Sequence, residues 1–220
     1  MVFLLIVSCT EMNTSYYPLT SGYTWQYSIQ KTTAAEVSRQ KEIVQNLGIE
    51  KGEFIQKSFI GTKSYLEESA DGIQINRIIL ENGKEIPRDK YTSTVLNYPI
   101  ESGVSWNDII VSHMSNSPGS GSQKMIEAIP VLTSIAAINE LVTVPAGKYY
   151  NCIRIEANGT KFVREGKYPY QPKMTISTSN TRWYAPGVGL LKEIQVDKSS
   201  IHMYPENGFT KELVDFEKRV

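Results

Sequence analysis

Few side chains in this sequence could act in catalysis, since the 220 residues include two His and two Cys. His113 lies two positions before Ser115, and a Ser/His pair is the minimum for nucleophilic catalysis. Glu67 and Glu68 lie close to Asp71, as paired carboxylates do in acid/base catalysis. A solvated loop histidine and acids flanking a turn explain both groups more simply. We therefore expect no catalytic residues and no enzyme, and a hydrolase is the third-ranked hypothesis, with His113 as its best candidate.

The other reactive residues also have structural interpretations. His202 is predicted to lie on an alternating strand, between Ile201 and Met203. Cys152 lies in a strand-like run from 149 to 156 with no histidine near it in sequence, which favours a small packing residue over a reactive thiol. With no metal-ligand spacing and no nucleotide-binding motif, we expect neither a metal nor a cofactor.

The composition excludes several classes of partner. Lys and Arg number 23 and Asp and Glu number 23, giving a net charge of +0. A neutral chain lacks the basic footprint of a nucleic-acid-binding protein, so we expect no nucleic-acid partner. Hydrophobic residues at 40% and charged residues at 21% indicate a globular fold rather than a disordered chain or a membrane bundle.

The first residues bear on where in the cell the protein is located. Residues 1–7 are apolar and precede Ser8 and Cys9, a run too short to span a bilayer, which needs about 20 residues. One interpretation is a buried first strand over residues 2–7. The other rests on the run Ile6-Val7-Ser8-Cys9, which resembles a relaxed form of the bacterial lipoprotein signal. The polar stretch that follows favours this second interpretation.

The resemblance to a lipoprotein signal implies a processed and anchored chain. Residues 1–8 would be the remnant of the signal peptide, Cys9 would carry acyl chains such as palmitate, and residues 9–15 would form a tether. The membrane is then a partner through the anchor at Cys9. Because Thr10 rather than Asp follows the cysteine, the same resemblance favours the bacterial outer membrane.

A repeated motif organises the remaining residues, 16–220. The run Tyr17-Pro18-Leu19-Thr20-Ser21-Gly22-Tyr23-Thr24-Trp25 matches Tyr98-Pro99-Ile100-Glu101-Ser102-Gly103-Val104-Ser105-Trp106 at five of nine positions. Proline extends the chain and glycine permits a turn before each Trp begins a strand. The repeat predicts one β domain with two related halves, starting near Tyr17 and Tyr98.

Turn dipeptides predict a meander of hairpins. Asn-Gly and Asp-Gly supply the positive φ angles of a type I′ turn. The predicted turns are Asp71-Gly72, Asn82-Gly83, Asn158-Gly159 and Asn207-Gly208. Around the second, Ile79 would face Ile86, and around the third, Glu156 would face Lys161 and Ile155 would face Phe162.

Two segments are less regular. Residues 33–47 begin with a possible capping box, Thr33-Ala34-Ala35-Glu36, and could form a helix or equally a curved edge strand. Residues 112–122 are rich in Ser and Gly and predict a flexible loop.

Further motifs carry a resemblance to a family. The two Tyr-Pro copies, the run Val144-Pro145-Ala146-Gly147 and the run from Trp183 to Lys192 resemble an uncharacterised family of bacterial lipoproteins and exported proteins. In outline these are similar to the lipoprotein carriers LolA and LolB. The resemblance implies a mainly β fold, a single curved antiparallel sheet forming a half-barrel or open barrel, with at most one or two short helices.

The same resemblance supplies a fold and an address but no catalytic residues, and the leading hypothesis is a non-enzymatic envelope lipoprotein with a binding or envelope-maintenance role. A lipid or another apolar ligand would lie on the concave sheet face, with Trp25, Trp106 and Trp183 as wall residues. The alternative is a surface-exposed adhesin or assembly partner that uses a sheet edge or a Tyr-rich patch.

Overall fold

The computed structural model of the chain describes residues 15–33, 36–115, 124–164, 173–202 and 204–218. These residues form thirteen β-strands and one short 3₁₀ helix, Arg88–Lys90. The strands are β1 (Tyr23–Thr32), β2 (Val37–Glu50), β3 (Glu53–Ser58), β4 (Lys63–Ser69), β5 (Gly72–Ile79), β6 (Glu85–Ile86), β7 (Thr94–Asn97), β8 (Ser105–Ser115), β9 (Lys124–Val144), β10 (Gly147–Arg164), β11 (Lys173–Ala185), β12 (Gly189–Ser199) and β13 (Asn207–Lys218).

All the strands belong to one antiparallel sheet that does not close into a barrel. Its order runs from β6 down to β1, then to β13 and down to β8, while β7 pairs with β5. Each neighbour along this path is also the neighbour in sequence, except that β1 pairs with β13. The predicted fold, a single curved antiparallel sheet, is confirmed.

Alternating side chains explain why the chain forms these strands. In β1 the buried residues alternate with half-buried ones from Tyr23 to Gln30, so one face packs inward and the other faces outward. The buried face carries Tyr23, Trp25, Tyr27 and Ile29. The alternation of apolar and polar residues in the sequence therefore matches the alternation of inward and outward side chains in the strand.

The described part of the ambiguous segment at residues 33–47 contains a strand and no helix. From Val37 onward it forms β2, which lies between β1 and β3 rather than at an edge. Thr33 and Glu36 belong to the turn that joins β1 to β2, where the Thr33 N–H donates to the Glu36 carbonyl at 2.9 Å. Thr33 thus lies in a hairpin turn and not at a helix N-terminus, because the strands on the two sides of the turn pair with each other.

Of the four predicted turns, the one at Asn82-Gly83 is a turn, with Gly83 at a φ of 80°. Its register is shifted by one residue from the prediction, since Ile86 pairs with Ile78 rather than with Ile79. The turn predicted at Asp71-Gly72 lies one residue earlier, because Gly72 already pairs with Ser69 as the first residue of β5.

The turns predicted at Asn158-Gly159 and Asn207-Gly208 are wrong. Asn158 and Gly159 lie inside β10, and Asn207 and Gly208 begin β13. Consequently Glu156 does not face Lys161, nor Ile155 Phe162; Glu156 pairs with Thr181 on β11.

At these two glycines no turn forms; instead, the backbone of a neighbouring strand approaches closely. A Cβ on Gly159 would lie 2.0 Å from the Pro130 carbonyl oxygen, and one on Gly208 would lie 2.4 Å from the Gln195 oxygen. Only a residue without a side chain fits there.

The longest hairpin, β9–β10, is bent near one end. Asn139 and Asn151 have positive φ angles, and the register between the strands shifts around them. Such irregularities bend a strand pair. Beyond the bend, the tip packs back on the sheet, where the Ala146 N–H donates to the Leu213 carbonyl at 3.0 Å. The motif at Pro145-Ala146-Gly147 forms this turn.

The residues before β1 close one end of the sheet. We call residues 15–22 the lead-in segment and the end that they cover the lead-in end; the opposite end is the far end. Leu19 is buried in the core, and the Gly187 N–H donates to the Ser15 carbonyl at 2.8 Å. In the two motif copies, Gly22 and Gly103 have φ angles of 88° and 92°, so the chain turns in the same way before the strand that follows each copy.

A carboxylate bridges the two open edges of the sheet. Asp108 on β8 accepts hydrogen bonds from the backbone N–H groups of Ser93 at 3.2 Å and Thr94 at 2.9 Å, at the start of β7. The Thr92 hydroxyl donates to the Ile109 carbonyl at 2.8 Å. Side chains thus connect edges that no backbone ladder joins.

Candidate functional site

The inner face of the curved sheet carries several buried polar side chains. We define this face by Tyr27 on β1, Arg182 on β11 and Gln195 on β12. Gln195 reaches across the curve and donates to the Val111 carbonyl on β8 at 3.1 Å. The inner face is therefore enclosed by the chain's own strands, and polar groups on it lie away from bulk water.

Three tyrosines form the centre of the candidate site, and we call Tyr17, Tyr27 and Tyr184 the tyrosine cluster. Tyr17 comes from the lead-in segment, and its ring centroid lies 6.3 Å from that of Tyr184. Its hydroxyl donates to Gln56 Oε1 at 2.8 Å, and the Tyr27 hydroxyl donates to the Leu190 carbonyl at 3.0 Å. Strands from both halves of the sheet therefore meet at this cluster.

A small cavity of about 60 Å³ lies beside the tyrosine cluster. Its walls are mainly aromatic and aliphatic, with one ammonium and one carboxamide. The lining residues are Tyr17, Trp25, Tyr27, Val44, Gln56, Gly189, Leu190 and Lys211. It is smaller than the ~150 Å³ apolar cavity that admits benzene in an engineered protein. The end of a ligand fits in this space, whereas a whole acyl chain does not.

Lys211 lines the cavity, and a second cation, Arg182, lies beside the tyrosine cluster. Lys211 Nζ lies 2.5 Å from Glu42 Oε2 and 4.4 Å from the centroid of the Tyr27 ring. Arg182 is buried and hydrogen-bonded to Tyr184, with Glu193 close enough to interact electrostatically. Arg182 Nε is buried with no hydrogen-bond partner among the described residues. Each cation therefore has a carboxylate nearby.

The hydroxyls of the tyrosine cluster stay protonated at neutral pH. Burial, followed by the nearby Tyr184, raises the pKa of Tyr17 above its ordinary value. Burial likewise raises the pKa of Tyr27 and of Tyr184. Protonated tyrosines donate hydrogen bonds but are weak nucleophiles and bases.

The inner face is filled towards the far end. The Asp197 carboxylate accepts hydrogen bonds from the Thr178 hydroxyl, the Gln195 amide at 3.1 Å and the His113 backbone N–H at 3.4 Å. Beyond this network, apolar residues such as Ile129 and Met174 form a separate cluster. This part of the face is occupied by side chains.

The three tryptophans predicted as wall residues do not share one site. Trp25 lines the cavity, and its indole N–H donates to the Val188 carbonyl at 2.6 Å. Trp106 is half-buried against the core cluster that contains Leu66 and Ile153. Trp183 lies on the outer face, because it alternates with the inward Arg182 and Tyr184, and it donates to Glu140 Oε2 at 3.0 Å.

The residues considered for catalysis lie apart from the cavity. His113 is exposed on β8 rather than at the mouth of a loop, and Ser112 and Ser115 also belong to that strand. His202 lies in the turn between β12 and β13, not on a strand as predicted, because β12 ends at Ser199. Glu68 is exposed and accepts a hydrogen bond from the Tyr98 hydroxyl at 2.8 Å.

Cys152 is a packing residue, as expected. Its side chain is fully buried on β10, and burial raises the pKa of its thiol to about 11. In the part of the chain that the structure describes, no group of three or more His, Cys, Asp or Glu side chains could hold a metal ion. The described residues also include no helix long and apolar enough to cross a membrane.

The predicted anchor at Cys9, the signal remnant at 1–8 and most of the tether at 9–15 lie outside the described residues, as do residues 116–123 of the predicted loop. The two-halves hypothesis and the role of Cys9 therefore stay predictions.

Sequence reasoning missed most of the tyrosine cluster and its charged neighbours. Tyr17 lies in the first Tyr-Pro motif and Tyr184 in the run from Trp183 to Lys192. The excess of tyrosine, 13 against 6 Phe, is a further signal that tyrosines matter in this protein. Lys211, Glu42 and Arg182 carry no motif, since strands far apart in sequence bring them together.

Comparisons with known proteins find similarity in structure. No protein-family model matches the chain, and no curated protein matches it. A candidate lipoprotein from Parabacteroides distasonis aligns over 93% of this chain and 99% of its own, with 15% identity and a TM-score of 0.40. A candidate exported protein with a YmcC-like fold from Bacteroides fragilis covers 92% of this chain and 98% of its own, with 10% identity and a TM-score of 0.38.

The hypothetical lipoprotein YmcC from Escherichia coli aligns over 89% of this chain and 86% of its own, with 12% identity and a TM-score of 0.36. The three proteins are described as lipoproteins or exported proteins, which is the broad class predicted for this chain. Likeness of this degree assigns no function. The motif-based family and the relationship to LolA and LolB stay predictions.

Proposed function

We propose that this chain is a non-enzymatic lipoprotein of the bacterial cell envelope that binds the apolar end of a ligand, such as a lipid, beside the tyrosine cluster. The observation that carries the proposal is the cavity of about 60 Å³. Its aromatic and aliphatic walls favour an apolar group, since transfer of apolar surface from water is worth roughly 25 cal/mol per Å². The anchor rests on the run Ile6-Val7-Ser8-Cys9.

The cavity also offers polar contacts for a head group or carbonyl. The Lys211 ammonium lines the cavity while paired with Glu42, and the Gln56 carboxamide lines it as well. A few placed polar groups in an apolar pocket are typical of small-molecule sites. An amphiphile with a short buried end fits this lining better than a charged metabolite does.

Native mass spectrometry of protein purified from its own host tests the binding role. We expect a copurifying lipid or other amphiphile on the wild-type protein. Val44→Phe would fill the cavity and remove the ligand, because Val44 lines it. Val37→Phe is the matched control, since Val37 lies on the same strand and is exposed. A wild-type protein without ligand, or a Val44→Phe variant that keeps it, would contradict the proposal.

The lipid anchor has an independent test. Metabolic labelling with a radioactive fatty acid should mark the wild-type chain and the Cys152→Ser variant but not the Cys9→Ser variant. Cys152 is a suitable control because it is buried inside the fold. Label on the Cys9→Ser variant would show that another residue is acylated and would contradict the proposed anchor. Fractionation on a sucrose gradient then tests the outer-membrane location.

A second candidate function is an adhesin or assembly partner. Phe59 and Ile60, in the turn between β3 and β4 at the far end, are 78% and 71% exposed. Adjacent exposed apolar residues of this kind are typical of protein contact sites. Protease treatment of intact cells separates the two functions, because a periplasm-facing binding protein is protected and a surface adhesin is cleaved.

A further inference from the structure

Two hairpin tips at the lead-in end expose apolar side chains that no contact within the described chain covers. The β2–β3 tip carries Leu47 and Ile49, exposed by 48% and 65%. The β9–β10 tip carries Leu141 and Tyr150, exposed by 58% and 65%. Each tip also carries an exposed lysine next to its turn, Lys51 on the first and Lys148 on the second.

The bend in β9–β10 decides which way its tip faces. Val142 and Val144 point into the core cluster that contains Trp25 and Leu213, so the alternating residues Leu141 and Tyr150 point away from it. The tip thus has a buried side that closes the end of the sheet and an outer side that presents an aliphatic and an aromatic residue.

The lead-in segment is fixed between these two tips. The Tyr16 hydroxyl donates to the Asn151 carbonyl at 2.9 Å, next to Tyr150. On the other side, Asn46 Nδ2 donates to the Pro18 carbonyl at 2.8 Å, next to Leu47. The chain therefore leaves the folded domain at the surface that carries the exposed apolar residues.

The length of chain before the lead-in segment limits how far this surface can lie from an anchor. Cys9 precedes Ser15 by six residues in the sequence. At ~3.3–3.6 Å per residue, six residues span at most about 20–22 Å. An acyl group on Cys9 would hold the lead-in end, rather than the far end, close to the bilayer.

We propose that the outer sides of these two tips, with Leu47, Ile49, Leu141 and Tyr150, rest in the interfacial layer of the bilayer that holds the anchor. This inference rests on the proposed acylation of Cys9. Tyrosine is enriched at the membrane interface because its ring is apolar and its hydroxyl polar, and lysine reaches the head groups with its ammonium. The domain is thereby oriented, with the far end directed away from the membrane.

Quenching by brominated lipids tests this orientation on the acylated full chain in vesicles of phosphatidylethanolamine and phosphatidylglycerol. The test compares Tyr150→Trp with Phe162→Trp, which is on the same strand towards the far end and 59% exposed. The native tryptophans give the same background in both. We expect the added fluorescence at position 150 to be quenched several-fold more strongly than at 162. Equal quenching at the two positions would overturn the inference.

The second tip is tested in the same way with Leu47→Trp against Val37→Trp, at the two ends of β2. Val37 is 60% exposed, so both substitutions are made at accessible sites. Quenching at 47 no stronger than at 37 would overturn a surface built from both tips. Flotation with the vesicles separates the two proposals: a chain that floats without selective quenching refutes the orientation alone, and a chain that does not float refutes the anchor and the orientation together.

Discussion

Removing the Asp108 carboxylate should loosen the contact between the two open edges of the sheet. Its oxygens accept the backbone N–H groups of Thr94 at 2.9 Å and Ser93 at 3.2 Å, and locally that of Ile109 at 2.8 Å. A hydrogen bond to a charged group contributes about 1.5–3 kcal/mol. Since the carboxylate is half-buried, we take the lower value for the two bonds between strands.

The expected loss for Asp108→Ala is therefore about 3 kcal/mol in the free energy of unfolding. For a domain of this size, 1 kcal/mol corresponds to roughly 2–4 °C in the midpoint, so the midpoint should fall by about 6–12 °C. Urea unfolding followed by tryptophan fluorescence measures the change, with Trp106 two positions away as a local reporter. Asp108→Asn, which keeps one acceptor oxygen, should lose less.

Asp215→Ala is the matched control. The Asp215 carboxylate accepts the N–H of its own neighbour, Phe216, at 2.9 Å, which reproduces the local bond of Asp108 to Ile109. Asp215 is exposed, and a surface substitution of this kind changes stability by roughly 0.5 kcal/mol. If the two alanine variants unfold within about 0.5 kcal/mol of each other, the bonds to Ser93 and Thr94 do not hold the edges together.

Three further outcomes are expected. Gly159→Ala should destabilise the fold by about 3 kcal/mol or more in a urea titration, because its Cβ would meet the Pro130 oxygen at 2.0 Å, while Asn158→Ala should cost far less. Iodoacetamide at pH 8 should leave Cys152 unmodified in the native protein and alkylate it in urea, since the folded thiol has a pKa of about 11; labelling of the native protein would contradict its burial. Because burial raises the pKa of the buried tyrosines, such as Tyr27, the folded state retains protons that the unfolded state loses above about pH 10. Stability should be unaffected below that pH and fall above it, and a free energy of unfolding that stays constant between pH 9 and 11 would refute this.

The strands could be predicted from the sequence because their signal is local. Alternation from Tyr23 onward depends on which face of a strand is buried, and a strand of ten residues shows it without reference to the rest of the chain. The turn dipeptides failed for a physical reason. Glycine permits a positive φ, as at Gly83, but it also permits another backbone to approach closely, as at Gly159 and Gly208. The partner strand decides between these uses, and a single dipeptide does not show that strand.

The candidate site was harder to predict than the fold. Tyr17 and Tyr184 lie in motifs that the sequence makes visible, but Lys211 and Glu42 are ordinary charged residues of amphipathic strands. They meet because β13 and β2 flank β1 on either side, so that Lys211 and Glu42 lie on the same face around Tyr27. This contact depends on pairing between strands about 180 residues apart, which no local pattern encodes. For the same reason the sequence does not show that Trp183 and Trp25 lie on opposite faces of the sheet.

The pairing of β1 with β13 also sets the order in which the fold can be completed. A chain that emerges from its N-terminus can form the hairpins from β1 to β6 as they appear, but one edge of β1 stays unpaired until β13 is available. During that interval the edge of β1, with Trp25 and Tyr27 on its inward face, is a template for pairing with other chains. The interval ends when β13 pairs with β1 and covers this edge.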